Sequence, residues 1–136
     1  MGYWLLKSDP DTFSWQDLEK SPKRTTRWDG VRNYQARNSL RDDVRKGDGV
    51  LFYHSQTDKA VVGTAVVTRA GYPEPDDPGW IAIDVRADRP FSRPVTLEQM
   101  RAIRDLSGMV LLQKGSRLSV QPVTAKEWAL VTKLGA

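Results

Sequence analysis

The sequence contains no cysteine and a single histidine, His54. The absence of cysteine excludes a disulfide framework, a thiol nucleophile and a cysteine-ligated zinc site, and it fits a reducing cytosol. With one histidine, a zinc site would depend on carboxylates, and the acidic residues do not cluster at ligand spacing. The composition therefore predicts a protein without a metal and without a cofactor.

Long apolar runs are also missing. The segment Tyr-Trp-Leu-Leu at residues 3–6 is too short for a signal peptide, and no stretch is long enough to span a bilayer. The chain has 136 residues, a usual size for one domain. We therefore expect a single domain over residues 1–136 that is soluble, cytoplasmic and has no membrane partner.

Features that would indicate catalysis are scarce. Gly47 and Gly49 do not form a phosphate-binding loop, and no serine occupies a nucleophile elbow. Three pairs of aspartates lie in predicted turns or loops and are interpreted as solvated: Asp9 with Asp11, Asp42 with Asp43, and Asp76 with Asp77. The sequence favours a protein that is not an enzyme.

What the sequence does contain is a polar run rich in large rings. Residues 26–40 include a tryptophan, a tyrosine, two asparagines, a glutamine and three arginines. Such a segment makes a poor core, and rings of this size are unusual on an inert surface. Aromatic rings stack on a base, amides pair with its edge, and guanidinium groups bind its phosphate. The run therefore predicts a nucleotide-like ligand.

Positive charge is concentrated around the same run. The chain has a net charge of +4, but residues 20–46 hold nine basic and three acidic residues, whereas the remaining residues sum to −2. A solvated face is the ordinary interpretation of such a charge run. Its coincidence with Trp28, Asn33 and Tyr34 favours a surface that binds a polyanion.

The pattern of β-branched and aromatic residues predicts strands at 3–7, 50–55, 60–70, 80–89 and 117–123. Helices are expected after a Ser14–Asp17 capping box, at 33–40, over 96–106 with Thr96 and Gln99 as cap partners, and after a Thr124–Glu127 capping box. The proline-rich residues 72–79 predict a hairpin loop. The expected fold class is α+β, a small, mostly antiparallel β-barrel with peripheral short helices. Four tryptophans on apolar faces are predicted to lie in its core: Trp4, Trp15, Trp80 and Trp128.

Several stretches carry a family resemblance. Among them are Tyr-Trp-Leu-Leu-Lys-Ser-Asp-Pro at 3–10, Thr-Arg-Trp-Asp-Gly-Val-Arg-Asn-Tyr-Gln-Ala-Arg-Asn at 26–38, Phe-Tyr-His-Ser at 52–55 and Arg-Leu-Ser-Val-Gln-Pro-Val-Thr at 117–124. In this order they resemble the EVE domain family of the PUA-like superfamily, which is related to YTH domains. The sequence departs from the family in having Asp9 where glutamate is usual, and in a shorter loop at 72–80.

The resemblance implies a PUA-like barrel with a pocket for a base. EVE domains are regarded as readers of modified bases in DNA or RNA, and modified cytosines are the leading proposal. The implied partner is therefore DNA or RNA that carries a modified base, whereas the residues alone indicate only a nucleotide-like ligand.

Two residues of the polar run are candidates for direct contact with the base. Trp28 is the best candidate for the wall on which a base stacks, and a core tryptophan is the alternative. Asn33 offers a donor and an acceptor to a base edge. Its alternative role is the cap of a helix that begins at Tyr34, and one asparagine could serve both.

The opposite wall is expected from the first and second predicted strands. Alternation along residues 50–55 sends Tyr53 and Ser55 to one face, which we assign to the pocket, and sends Phe52 to the core. Lys7 and Ser8, at the end of the first strand, resemble residues that line such pockets from below.

The rim and the backbone contacts complete the predicted site. Arg117 and Ser119 share a face of the last predicted strand and could close the rim. Arg32 and Arg37, together with Arg27, are assigned to phosphates. Each such contact contributes close to one unit to the slope of log K against log salt concentration.

Three functions are compatible with these observations. The favoured one is a non-catalytic reader that holds a flipped, modified base, for example a methylated cytosine, in an aromatic pocket. The second is a general RNA-binding PUA-like module without preference for a modification. The third is a base-processing enzyme that uses Asp29 in the same pocket.

Overall fold

The computed structural model describes residues 2–56, 58–114 and 118–136. Within these residues, six strands form one sheet: β1 Tyr3–Ser8, β2 Thr25–Trp28, β3 Gly49–His54, β4 Ala60–Pro73, β5 Ile81–Thr96 and β6 Val120–Val123. Four α-helices surround it: α1 Trp15–Lys20, α2 Tyr34–Asp42, α3 Leu97–Arg101 and α4 Ala125–Gly135. Short 3-10 turns lie at Pro22–Arg24, Arg104–Leu106 and Val110–Leu112.

Side-chain caps decide where the helices begin. In a capping box, the side chain of the N-cap residue accepts a hydrogen bond from the backbone amide of the third helical residue. The side chain of that third residue accepts a hydrogen bond from the backbone amide of the N-cap residue. All three predicted boxes are confirmed, at Ser14 with Asp17, Thr96 with Gln99, and Thr124 with Glu127. The helix predicted over 96–106 is shorter than expected, because α3 ends at Arg101 and only a 3-10 turn follows.

The sheet of the described residues is mixed and does not close, so the predicted antiparallel barrel is not confirmed. Its strand order is β2-β5-β4-β3-β1-β6, so β2 and β6 are the edges. β1 pairs with β3 in parallel, and every other neighbouring pair in the described sheet is antiparallel. The parallel pair arises because α1, β2 and α2 intervene between β1 and β3, as a crossover requires. The α+β class is correct, and closure of the sheet is not confirmed.

The sheet curls although it does not close. Trp28 in β2 and Phe52 in β3 belong to strands separated by β5 and β4. Three strand spacings in a flat sheet would place them about 14 Å apart. Their ring centroids are only 5.7 Å apart, so β2 folds back over β3. Register shifts along the β4–β5 pairing supply the bends that allow this.

Apolar residues are buried on both faces of the sheet. One face carries Leu6 and Phe52 and is covered by α1 and α2, whereas the other carries Leu5, Leu51 and Tyr53 and is covered by α3 and α4. Both core clusters draw on β1 and β3, and every residue of β3 is buried. The concave face with Phe52 is the one that Trp28 approaches.

Strands β2 and β5 also differ from the sequence-based expectation. Residues 25–28 form the edge strand β2, which the polar sequence did not indicate. β5 continues to Thr96 through Pro90 and Pro94. This is compatible with a strand because β2 pairs only with residues 83–86 of β5, so the outer edge beyond them needs no donor amide. Within the described residues, no helix is both long and apolar enough to cross a bilayer.

Candidate nucleic-acid interface

A cavity of about 470 Å³ opens between the end of β1, the loop that follows it, and the edge strand β2. Its volume falls in the range of small-molecule sites. It is lined by Lys7, Ser8, Asp9, Thr12, Phe13 and residues 26–29. The cavity therefore includes the first part of the polar run identified in the sequence.

Trp28 is a wall of this cavity and is also anchored in the core. Its indole lies edge-to-face on Phe52, with the ring planes at 84°. Phe52 is fully buried and carries Trp15 in a second edge-to-face contact, with centroids 5.5 Å apart. Trp28 is only partly buried, so the packing holds the ring in place while part of its surface remains open. Trp28 therefore packs on the core and lines the cavity, and its contact with a base stays a prediction.

Two basic side chains line the cavity. Lys7 is half-buried, and burial lowers its pKa below the ordinary value of 10.5. Among the described residues its ammonium group makes no ion pair. Arg27 is exposed, and its Nη1 lies 3.9 Å from Oδ2 of Asp29, a distance at which the ion pair is weak. The cavity lining thus carries two cationic side chains together with two carboxylates, those of Asp9 and Asp29.

Three of the predicted serines meet at the end of β1. The Ser55 amide and hydroxyl donate to the Ser8 carbonyl oxygen at 2.9 and 3.3 Å. The Ser8 hydroxyl donates to the carbonyl of Phe13, and the Lys7 amide donates to the Ser119 carbonyl at 3.0 Å. The structure therefore brings this predicted group together, while Arg117 lies outside the described residues.

Tyr53 lies on the other face of the sheet. It is 4% exposed and belongs to the core cluster of Leu5 and Leu51, and this burial raises the pKa of its phenol. The face assigned to Tyr53 is corrected for a physical reason. β3 is buried on both sides, so alternation separates Tyr53 from Phe52 without indicating which of them faces the cavity. Ser55 follows the end of β3, where alternation no longer applies.

Asn33 takes the capping role that was its alternative. Its side-chain oxygen accepts the Ala36 amide at 3.0 Å and begins α2. The cap uses only the oxygen of the amide, so the nitrogen is not required for it.

Arg32 has a carboxylate partner that the sequence did not indicate. Its guanidinium binds Glu74 in bidentate fashion, at 2.8 and 3.0 Å, and lowers the pKa of that carboxyl group. The Gly30 amide donates to the same carboxylate at 3.1 Å. Arg32 therefore ties the segment after β2 to the turn between β4 and β5.

Arg37 and Trp80 form a second aromatic feature beside this ion pair. The Arg37 guanidinium donates to the Asn38 side chain and to the Gly79 carbonyl, and it lies 5.6 Å from the Trp80 ring centroid. Trp80 stacks on Tyr34, with centroids 5.1 Å apart, and is not in either buried cluster. The prediction that Trp80 is a core residue is wrong, because its ring packs on a helix terminus across the surface. No local signal in the sequence could reveal this contact.

The chain belongs to the EVE domain family, whose pattern it matches over residues 2–134. Thymocyte nuclear protein 1 of Mus musculus is 34% identical over 166 aligned positions, which cover 97% of this chain and 73% of that protein. The resemblance inferred from the motifs is thereby confirmed.

Solved structures agree with the fold. The crystal structure of protein Atu2648 from Agrobacterium tumefaciens matches with a TM-score of 0.93 at 38% identity, over 100% of this chain and 94% of that one. Human THYN1 in complex with DNA containing 5-methylcytosine matches with a TM-score of 0.90 at 32% identity, over 99% and 98% of the two chains. A likeness to ASCH from Zymomonas mobilis, at 13% identity and a TM-score of 0.60, concerns the fold alone.

Proposed function

We propose that residues 1–136 act as one PUA-like EVE domain that binds nucleic acid and holds a single flipped base against Trp28. The observation that carries this proposal is the half-buried Trp28 ring, anchored on Phe52, at the wall of a cavity that also presents Lys7 and Arg27. Stacking of one base on an aromatic side chain contributes about 1–3 kcal/mol. The ring is held in place before the ligand arrives, so little ordering is required on binding.

The favoured ligand is a modified cytosine of the 5-methyl type. The support comes from human THYN1, which resembles this chain over nearly its whole length and was solved with DNA containing 5-methylcytosine. One extra methyl group discriminates by only about 1–3 kcal/mol, so preference for the modified base should be modest. A base must leave the helix to enter a cavity of this kind, which costs a few kcal/mol.

The remaining candidate residues take supporting roles in this proposal. Lys7 and Ser8 line the cavity at the end of β1 and are proposed to face the base edge. Ser55 and Ser119 contact these two residues without lining the cavity, and are proposed to support them. Asn33 would contribute only its amide nitrogen, since its oxygen caps α2. Tyr53 is not included, because it lies on the opposite face of the sheet.

Phosphate binding is proposed for three arginines in unequal measure. Arg27 is exposed at the cavity and is the strongest candidate. Arg32 and Arg37 are held by Glu74, Asn38 and the Gly79 carbonyl, so a phosphate would have to share their guanidinium groups.

Fluorescence anisotropy with matched oligonucleotides tests the proposal. Single-stranded and duplex DNA with one cytosine or one 5-methylcytosine, and the same sequences as RNA, are titrated with wild type and Trp28→Ala. We expect tighter binding of the methylated strand, by roughly 5- to 150-fold, and weak binding by Trp28→Ala. Leu134→Ala, on the exposed face of α4, is the matched control and should bind as wild type.

The other outcomes identify the alternative functions. Equal affinity for modified and unmodified strands would leave a general nucleic-acid-binding module. Release of a base or another product by wild type, abolished in Asp29→Asn, would show an enzyme. Absence of binding to every oligonucleotide would overturn the proposal.

A further inference from the structure

An exposed pair of stacked rings lies outside the cavity. Tyr34, the first residue of α2, stacks on Trp80, which immediately precedes β5, with the planes at 26°. Tyr34 remains 65% exposed, whereas the only other large hydrophobic residue exposed in the described chain is Leu134 at 39%. A contact that served only to join α2 to the sheet would bury the tyrosine ring. We name Tyr34 and Trp80, with Arg32 and Arg37, the aromatic platform.

Two guanidinium groups hold the aromatic platform in position. The Arg32 guanidinium lies 5.0 Å from the Trp80 ring centroid, and that of Arg37 lies 4.8 Å from the Tyr34 centroid. Each is fixed in turn, Arg32 by Glu74 and Arg37 by the Gly79 carbonyl. The rings are therefore ordered without a ligand, and a guanidinium group lies over each of them.

The aromatic platform and the cavity share one segment of chain. Trp28 and Tyr34 are six positions apart, so their Cα atoms lie within about 22 Å even if that segment were extended. The hydrogen bond from the Gly30 amide to Glu74 folds this segment toward the β4–β5 turn. One nucleic-acid strand whose flipped base occupies the cavity could therefore reach the platform with a neighbouring nucleotide.

We propose that the aromatic platform is a second stacking site, which takes an unpaired base flanking the one held against Trp28. This inference rests on the proposed function and extends it from a single base to a short strand. An exposed, ordered aromatic surface accepts any base, because every base has a π face, and the adjacent guanidinium groups complement the phosphate that follows. The platform adds affinity without adding preference for a modification.

The test separates a single nucleotide from a strand. Binding of 5-methyl-deoxycytidine monophosphate and of a nine-nucleotide single strand with one central 5-methylcytosine is measured for wild type, Tyr34→Ala, Tyr34→Phe and Trp28→Ala. We expect Tyr34→Ala to bind the strand roughly 5- to 150-fold more weakly. Its affinity for the mononucleotide should stay within about twofold of wild type, because stacking at the platform needs the flanking base. Tyr34→Phe keeps the ring and should bind the strand as wild type does, whereas Trp28→Ala should weaken both ligands.

The possible results distinguish the proposed platform from the proposed preference for a modified base. If Tyr34→Ala binds the strand as wild type does while Trp28→Ala does not, the platform is not a base site, and its exposed ring serves another contact such as a protein partner. If modified and unmodified strands bind equally but both depend on Tyr34, the preference for modification fails and the platform stands. A wild type that binds no strand overturns both proposals. Circular dichroism melting confirms that Tyr34→Ala is folded, as its exposure leads us to expect.

Discussion

The Trp28 indole lies edge-to-face on the buried Phe52 ring, with centroids 5.7 Å apart and planes at 84°. This contact joins the edge strand β2 to the centre of the sheet and fixes the wall of the cavity. Trp28 thereby contributes both to the core and to the candidate site. Its substitution should therefore affect both stability and binding.

Truncation of the two rings should affect stability unequally. Phe52→Ala removes a fully buried ring and should lower the free energy of unfolding by about 3–5 kcal/mol. Trp28→Ala removes a partly buried ring and should cost less, about 1–3 kcal/mol, so the domain stays folded while binding falls. Urea denaturation at neutral pH measures both. An equal loss in the two variants would show that Trp28 acts only as a core residue.

Asp48 should make the free energy of unfolding depend on pH in the acid range. It is 2% exposed and accepts the Trp4 indole N–H at 3.0 Å, the Gly2 amide at 3.0 Å and the Arg45 amide at 2.8 Å. Burial opposes its ionisation, but these hydrogen bonds lower its pKa below the ordinary value of 3.8. Its contribution is therefore complete above the unfolded-state pKa and is lost as the pH falls through the lower folded-state pKa.

Asp48→Asn removes the negative charge that accepts the three hydrogen bonds at this position. The substitution should lower the free energy of unfolding by about 1.5–3 kcal/mol at pH 7. Urea denaturation of wild type and Asp48→Asn across the acid range checks this. The difference in unfolding free energy should shrink as the pH falls below about 4. A difference that does not change with pH would contradict the role of the carboxylate.

Lys7 should lower stability while it supports binding. Burial lowers its pKa, so the folded state holds this proton less tightly than the unfolded chain does. The resulting loss of stability is complete below the folded-state pKa and disappears as the pH rises to the unfolded-state value near 10.5. At neutral pH we expect Lys7→Met to be at least as stable as wild type in thermal melting, yet to bind oligonucleotides more weakly. Arg86→Met, an exposed change outside the cavity, is the control. A destabilised Lys7→Met that binds normally would contradict both expectations.

His54 should be needed for the start of α1. Its Nε2 accepts the Trp15 amide at 2.9 Å, so the proton lies on Nδ1, which donates to Asp58 at 2.9 Å. His54→Leu leaves the buried Trp15 amide without its acceptor and should lower the free energy of unfolding by about 1–3 kcal/mol. Asp58→Ala removes a half-exposed partner and should cost under about 1 kcal/mol. Urea denaturation separates the two, and similar losses would show that the Asp58 contact carries the effect.

Interactions over three or four residues were predictable from the sequence. The capping boxes at Ser14, Thr96 and Thr124 depend on one side chain and one nearby amide, and all three are present. Asn33 belongs to the same class, since its capping role was a stated alternative. The polar run, through its motif, indicated the EVE family, and it predicted a binding role for Trp28, which lines the cavity.

The contacts that the sequence did not reveal span the whole fold. Arg32 and Glu74 are 42 positions apart, and their pairing depends on how β4 and β5 turn over the segment after β2. The face that Tyr53 occupies depends on which helices cover each side of β3, and alternation gives only the relation between neighbours. Trp80 was predicted to be buried because it is an apolar residue before a strand, and the sequence does not show that Tyr34 of α2 packs on its ring.

By itself, the sequence determined the family, the α+β class, the helix starts and the presence of a ring-rich basic segment, because each of these depends on local chemistry or on a motif. Only the tertiary structure decided that the sheet curls without closing, that Trp28 meets Phe52 across the two intervening strands, and that Tyr34 and Trp80 stack at the surface. These arrangements depend on bulges and on packing between distant segments, whose energies are shared among many residues and leave no pattern at any one of them.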